Sequence, residues 1–267
     1  MVKTSQPQPN GKVAGTEFVQ SLARGLAVIR TFDAEHPRQS LSQVARTTGL
    51  SRATARRFLL TLVDLGYVDS DESQFWLTPK VLELGYSYLS SMPLTEVAAP
   101  HLEKLRSRLG ESSSVSILDG TDIVYVARVQ VRRIMTVDIT IGTRFPAHAT
   151  SMGKVLLASL NETDFANYLR RAAERDEPGR PGFDEATLRG EIEAARKRGW
   201  SMTDQELEPG LRSLAAPIKD ESGATVAAIN ISTHAMRYTL DQLHDDFVPA
   251  LLSAASAISE DLATVNR

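Results

Sequence analysis

Apolar residues near the start of the chain recur at helical spacing. Phe18, Leu22, Leu26, Ile29 and Phe32 follow one another at intervals of four, four, three and three, which predicts a helix from about Thr16 that buries one stripe. His36-Pro37 ends it, because the residue before a proline is pushed out of the α region. Ser40, with Gln43 three residues on, reads as a capping box opening a short helix whose Leu41, Val44 and Ala45 face inward. Gly49 supplies the positive φ of a tight turn, Ser51 caps a third helix running to about Leu65, and Gly66 stops it. Two β-prone runs, Tyr67-Val68 and Phe75-Trp76-Leu77, flank a polar tip from Asp69 to Gln74. Thr78 and Pro79 start a further helix that carries Val81, Leu82, Leu84, Tyr88 and Leu89 and ends before Pro93.

The remaining pattern mixes both periods. Leu94–Leu109 reads as helix. Strands over Val115–Leu118 and Ile123–Val129 flank Asp119-Gly120, a hairpin signal, and a third strand is expected over Ile134–Ile141. Helices over Thr150–Leu160 and Glu162–Ala172 precede a polar loop, Arg175–Gly182, and Asp184 caps a helix that Gly199 closes. Strands near Trp200–Thr203, Ser213–Ile218 and Thr225–Ser232 lead to a terminal helix, Leu240–Leu262. Hairpins separated by helices define an α+β chain with an antiparallel sheet. The expected organisation is a disordered tail over 1–15, a winged helix-turn-helix over 16–78, a linker helix over 79–93 and a larger domain over 94–267.

The third helix carries the chemistry. Ala55, Phe58, Leu59, Leu62 and Leu65 cluster within about 120° of one another on its wheel, and Arg52, Arg56 and Arg57 fall on the other side. Ala53 is small enough to let the backbone approach a groove floor, while Leu60 sits awkwardly near the arginines. The formal charge of −3 over 267 residues hides a division, with residues 1–80 at +3 and the rest at −6. Between Glu35 and Asp64 there are five arginines and no acid, a field that favours a polyanion. An arginine-bearing helix fits the major groove, where guanidinium meets guanine O6 and N7, and Ser51 and Thr54 are placed to meet phosphates. The candidate DNA contacts are Arg24, Ser51, Arg52, Ala53, Thr54, Arg56 and Arg57. An acidic tip (Asp69, Asp71, Glu72) leaves little affinity to the wing. The alternative is a ligand-sensing module whose winged helix binds protein, and the arginine face discriminates the two.

Composition narrows the rest. With 42% hydrophobic and 24% charged residues the chain is globular, which excludes disordered and low-complexity classes. The absence of cysteine excludes disulfides, thiolate zinc sites and a cysteine nucleophile. No apolar run reaches the ~18–20 residues of a membrane span, and the first residues lack the apolar core of a secretory signal, so a cytoplasmic protein without membrane contact is expected. There is no Gly-x-Ser-x-Gly elbow and no His-Glu-x-x-His. Gly153-Lys154 is followed by valine and lacks the upstream glycine of a phosphate loop. His148 and Ser151 make a poor nucleophile pair, and His234 and His244 read as surface or packing residues. No catalytic residue, metal or cofactor is expected.

Read together, several segments resemble the IclR family of transcriptional regulators from about Phe18 to Val265. They are Ser21-Leu22-Ala23-Arg24-Gly25-Leu26, Leu50-Ser51-Arg52-Ala53-Thr54-Ala55-Arg56-Arg57, Leu65-Gly66-Tyr67-Val68, the run Ala149 to Ala158, Gly210-Leu211-Arg212-Ser213, and the run Ala227 to Ser232. The resemblance implies a winged helix that dimerises on palindromic double-stranded DNA. It also implies a GAF-like effector-binding and oligomerisation domain with flanking helices, and assembly as a dimer or dimer of dimers. Arg144-Phe145-Pro146 with Ala149–Gly153, and Thr203 to Glu208, resemble the branch that controls β-ketoadipate-pathway genes, whose effectors are aromatic or dicarboxylic acids such as protocatechuate, 4-hydroxybenzoate or β-ketoadipate. By motif position the effector pocket falls on Ser151, Met152, Thr203, Asp204, Ser213, Asn230 and Ser232, with Ile134, Val137, Phe145 and Leu211 as apolar walls. Thr203 stands where some relatives have aspartate and Ser213 where some have cysteine, and losing a carboxylate suits an anionic ligand.

The residues support a pocket there on their own terms. A helix starting at Thr150 aims backbone N–H groups at whatever precedes it. Asn230 and Ser232 are two apart on a strand and share a face, where polar groups need a partner, either neighbouring backbone or a ligand. For a small acid effector, Arg144 is the first candidate cation. Arg212 is the second, with a structural salt bridge as its alternative. The helix over Pro79–Met92 would carry the effector's influence to the DNA-binding part.

Overall fold

The computed structural model describes residues 18–71, 73–89, 92–131, 139–175 and 181–265. The expected tail over 1–15, and Ile134 and Val137, lie outside them. Described residues up to 89 belong to one compact unit and those from 92 on to another.

In the first unit the caps fall where the side chains predict. α1 is Gln20–Ile29. α2 (Leu41–Thr48) opens on a complete capping box, Ser40 N–H donating to Gln43 Oε1 at 2.8 Å and Gln43 N–H returning to Ser40 Oγ. Gly49 turns the chain at φ +67°, and Ser51 caps α3 (Arg52–Asp64) by accepting from Thr54 N–H. β1 (Gln39–Ser40), β2 (Val68–Ser70) and β3 (Gln74–Leu77) form an antiparallel sheet in the order β1-β3-β2. The sequence predicts only the hairpin; β1 is two residues long and merges into the cap of α2. Thr78 caps a 3-10 turn, Pro79–Val81, that leads into α4 (Leu82–Leu89).

The core here is Val28, Phe32, Val44, Leu59, Leu62 and Val68. That corrects the first stripe: Phe18, Leu22 and Leu26 are 54%, 64% and 42% exposed, while Val28 on the same helix is fully buried. Among the described residues, α2, α3 and a small sheet cover one side of α1 and leave the other uncovered. Leu65, expected inside, is likewise exposed, as are Leu82, Leu84, Tyr86 and Tyr88 of α4.

The second unit begins with α5 (Pro93–Leu109) and continues through β4 (Ser112–Asp119), β5 (Asp122–Val129) and β6 (Arg144–Pro146). Next come α6 (Ser151–Ala158), α7 (Glu162–Ala173) and α8 (Glu185–Arg198), then β7 (Ser201–Asp204), β8 (Leu211–Lys219) and β9 (Thr225–His234). α9 (Leu240–Gln242) passes through a π turn into α10 (Val248–Val265). The six strands make one antiparallel sheet, β6-β5-β4-β9-β8-β7. Of the strand predicted over Ile134–Ile141, residues 134–138 lie outside the described ones and Ile139–Ile141 are not strand, while Arg144–Pro146 forms the described edge next to β5.

Sheet alternation gives the two faces different work. One face packs on α5 and α10 through Leu102, Val115, Leu214, Ile229, Leu251 and Ile258. The apolar composition of the C-terminal helix therefore serves the core. The opposite face packs Tyr125, Ala215 and Ala228 against Met152, Leu157, Phe165, Leu188 and Ile192 of α6, α7 and α8. α6 lies so close to the turn before it that a Cβ on Gly153 would stand 2.0 Å from the Ala147 carbonyl oxygen.

Candidate DNA-binding and effector sites

The outer face of α3 is as cationic as its wheel predicts. Arg52, Arg56 and Arg57 are exposed, and none is ion-paired with another described residue. Ala53 is exposed between them, Thr54 is half-buried against the Ser51 cap, and Arg24 lies exposed on α1. Leu60 stays 37% exposed beside the arginines. Arg38 differs from its neighbours. Its guanidinium lies 3.9 Å over the Trp76 ring and pairs with Asp71 at 3.7 Å, so it belongs to the wing and is not unopposed. Asp71 is itself anchored: Ser73 and Gln74 backbone N–H groups donate to its carboxylate and hold its pKa below the usual range. The acidic tip is thus partly an internal turn lock.

In the second unit, a buried polar cluster forms on the face covered by α6. Ser151, at the start of α6, donates to Ser213 Oγ of β8 at 2.9 Å. Asn230 of β9 donates from Nδ2 to Ser213 Oγ at 3.0 Å and to Ser232 Oγ at 2.9 Å. Thr203 of β7 is the cross-strand partner of Ser213 and is buried, and Leu211 shares that face. Met152 Sδ accepts from Ser116 Oγ of β4 at 3.1 Å, a weak acceptor for a fully buried hydroxyl. Thr150 spends its side chain on Gly153 N–H, so one of the N-terminal donors of α6 is already satisfied. Asn230 is 2% exposed, yet its Oδ1 has no hydrogen-bond partner among the described residues. Turning the amide over would only orphan the other end.

Not every candidate joins this cluster. Arg144 pairs in register with Val124, on the opposite sheet face, and is held by Asp119 at 2.7 Å and Asp122 at 3.4 Å. Asp204 pairs with Arg212 across β7 and β8 and its carboxylate accepts from that guanidinium at 2.8 Å, which lowers its pKa. Both residues are turned away from Ser213 and Thr203 by strand alternation. Arg212 also donates to the Ala235 and Tyr238 carbonyls, the structural role the sequence allows it. Phe145 stands at the far edge, edge-on to Tyr125 with ring centroids 6.0 Å apart. Burial pushes the Tyr125 phenol up to about 12.

Sequence reading missed two features. β4 opens on a run of serines, Ser112, Ser113, Ser114 and Ser116, a polar cluster in a largely buried strand, and Ser114 pairs in register with Asn230. Lys154 is 1% exposed and bonds Glu191 at 2.8 Å and Glu206 at 2.5 Å, tying α6 to α8 and to the loop after β7. That loop also carries Gln205 at φ +62°, an uncommon conformation for a non-glycine residue.

A winged helix with a cationic recognition face, joined in one chain to a sheet unit with a buried polar cluster, defines a ligand-responsive DNA-binding regulator. The IclR helix-turn-helix domain matches residues 21–72 and the bacterial transcriptional regulator IclR C-terminal domain matches residues 86–260. The chain belongs to the IclR family of transcriptional regulators. It is 43% identical to the Pca regulon regulatory protein of Pseudomonas putida, over 92% of this chain and 85% of that one. It is 34% identical to the p-hydroxybenzoate hydroxylase transcriptional activator of Acinetobacter baylyi, over 95% and 96%. Among solved structures, one from Rhodococcus sp. RHA1 described as a transcriptional regulator is 61% identical at TM-score 0.82, covering 93% of this chain and 100% of that one. An IclR homologue from Microbacterium hydrocarbonoxydans, complexed with 4-hydroxybenzoate, shares the fold at TM-score 0.78 with 24% identity, over 91% and 99%.

Proposed function

We propose that this regulator controls genes of aromatic-acid breakdown. It acts in the cytoplasm on palindromic DNA as a dimer or dimer of dimers, and takes its effector at Ser151, Met152, Thr203, Leu211, Ser213, Asn230 and Ser232, with Phe145 at the outer wall. Arg24, Ser51, Arg52, Ala53, Thr54, Arg56 and Arg57 meet the operator. The names of the Pseudomonas and Acinetobacter relatives support the pathway. The observation that carries the effector site is the Asn230 amide, sealed from water with one end unsatisfied. Such a group costs about 1–3 kcal/mol until something bonds it. The exposed apolar faces of α1 and α4 support self-association, since apolar patches of this kind mark interfaces. Pairing two winged helices would also set the recognition helices at one helical turn of DNA or a multiple.

A thermal-shift panel of 4-hydroxybenzoate, protocatechuate and β-ketoadipate tests this reading. At a concentration 100 times its dissociation constant, a true effector adds about 2.7 kcal/mol to folded-state stability. Asn230→Ala is expected to remove that shift. A panel in which no acid stabilises the protein, or a full shift retained in Asn230→Ala, contradicts the assignment.

A further inference from the structure

One exposed side chain on the outer face of α3 is large and apolar. Leu60 is 37% exposed, and among the described residues it is neither in the core of its unit nor packed against that core. On a wheel of about 100° per residue, Leu60 lies about 20° from Ala53, and Arg56 and Arg57 flank it at about 40° and 60°. All four are exposed. Ala55, Leu59 and Leu62, the buried residues of α3, lie on the opposite side. Ala53 and Leu60 therefore run along the midline of the outer face, two turns and roughly 10.5 Å apart, which is about three base steps of a duplex. Asp64 stands one turn beyond Leu60 near the same midline and is also exposed. Its carboxylate would meet phosphates with like charge, so the strip that faces DNA ends after Leu60.

An apolar group set between cations fits few partners. A protein surface that covered Leu60 would also desolvate the arginines on either side, and each would need a counter-charge. A major groove offers the matching arrangement. Phosphates line both rims, and the base edges between them carry a single kind of apolar group, the C5-methyl of thymine. We propose that Leu60 reads a thymine methyl in the operator, with Ala53 giving the clearance that lets α3 sit deep enough for the contact. Leu60 is then a specificity residue: it carries no charge, so it adds nothing to non-specific attraction or to its salt dependence. The proposal rests on the DNA contacts assigned above to α3.

A duplex selected from random sequence by the full-length wild-type protein provides the probe. Each of its thymines is replaced in turn by deoxyuridine, which lacks only the methyl, and affinities of wild type and Leu60→Ala are read by fluorescence anisotropy. Wild type is expected to lose about fourfold at one thymine of each half-site, the worth of one buried CH2 group. Leu60→Ala binds the thymine duplex more weakly by a similar factor and no longer distinguishes deoxyuridine at that position. Its affinity for random-sequence DNA, and the salt slope of that affinity, match wild type. A Leu60→Ala variant that stays as sensitive to deoxyuridine as wild type overturns the assignment, and so does a wild type indifferent to every thymine methyl. Loss of self-association in Leu60→Ala with the deoxyuridine sensitivity kept also overturns it, and places Leu60 against a second subunit. Wild type that enriches no sequence overturns the DNA-binding face itself.

Discussion

Replacing Arg52, Arg56 and Arg57 together by alanine is expected to abolish specific operator binding while leaving effector binding intact. Each arginine that reads a base edge is worth about 1–3 kcal/mol, and each that meets a phosphate contributes close to one unit of salt slope. Whichever mixture the three provide, the triple variant loses on the order of 1,000-fold or more in affinity, and its residual binding becomes less sensitive to salt. The three side chains are exposed on α3 while the fold is held by Ala55, Leu59 and Leu62 on the opposite side, so thermal stability should change by less than about 0.5 kcal/mol. Fluorescence anisotropy at several salt concentrations measures this. Unchanged affinity would return the winged helix to a role in protein contacts.

Gly153→Ala should be among the most damaging single-methyl additions this chain can receive. The added Cβ would fall 2.0 Å from the Ala147 oxygen and 2.4 Å from its Cα. Backbone cannot swing aside as a side chain can, so either α6 or the turn must move. Overpacking of this kind costs typically 1–3 kcal/mol, occasionally more, and here the displaced helix carries Ser151 and Met152 into the polar cluster. Acid binding should fail along with stability. Gly190→Ala is the control: on α8 of the same unit, with nothing within 4 Å of the new carbon, it gains helix propensity and should stabilise by about 1 kcal/mol. Thermal melts of the two variants side by side separate the close contact from any general intolerance of alanine. Equal melting temperatures would contradict the packing described.

Local chemistry was the legible part. Ser40 with Gln43, Ser51, Thr78 and Asp184 cap helices where their sequence neighbours predict, because a cap is decided within four residues. The face of α3 was legible for the same reason. What needed the tertiary arrangement was not. A stripe of apolar residues on α1 says that a surface seeks cover, not that this chain supplies it. Cross-strand cations were hidden by register. Simple alternation from Ile123 and Tyr125 puts Arg128 on the far face, but a bulge opposite Val115 and Ser116 leaves Val126 unpaired and shifts Arg128 back to the side of Tyr125, since one extra residue flips every side chain beyond it. Arg144 suffered the converse error: its edge strand pairs so that Phe145, not the arginine, faces inward.

Ligand-responsive regulation requires that effector binding and operator binding be coupled. Operator affinity should be measured with and without saturating 4-hydroxybenzoate, and 4-hydroxybenzoate affinity with and without saturating operator. Linkage requires the two ratios to be equal, and a regulator of this kind should show a factor of about 5–150. An acid that binds the cluster yet leaves operator affinity unchanged would contradict it.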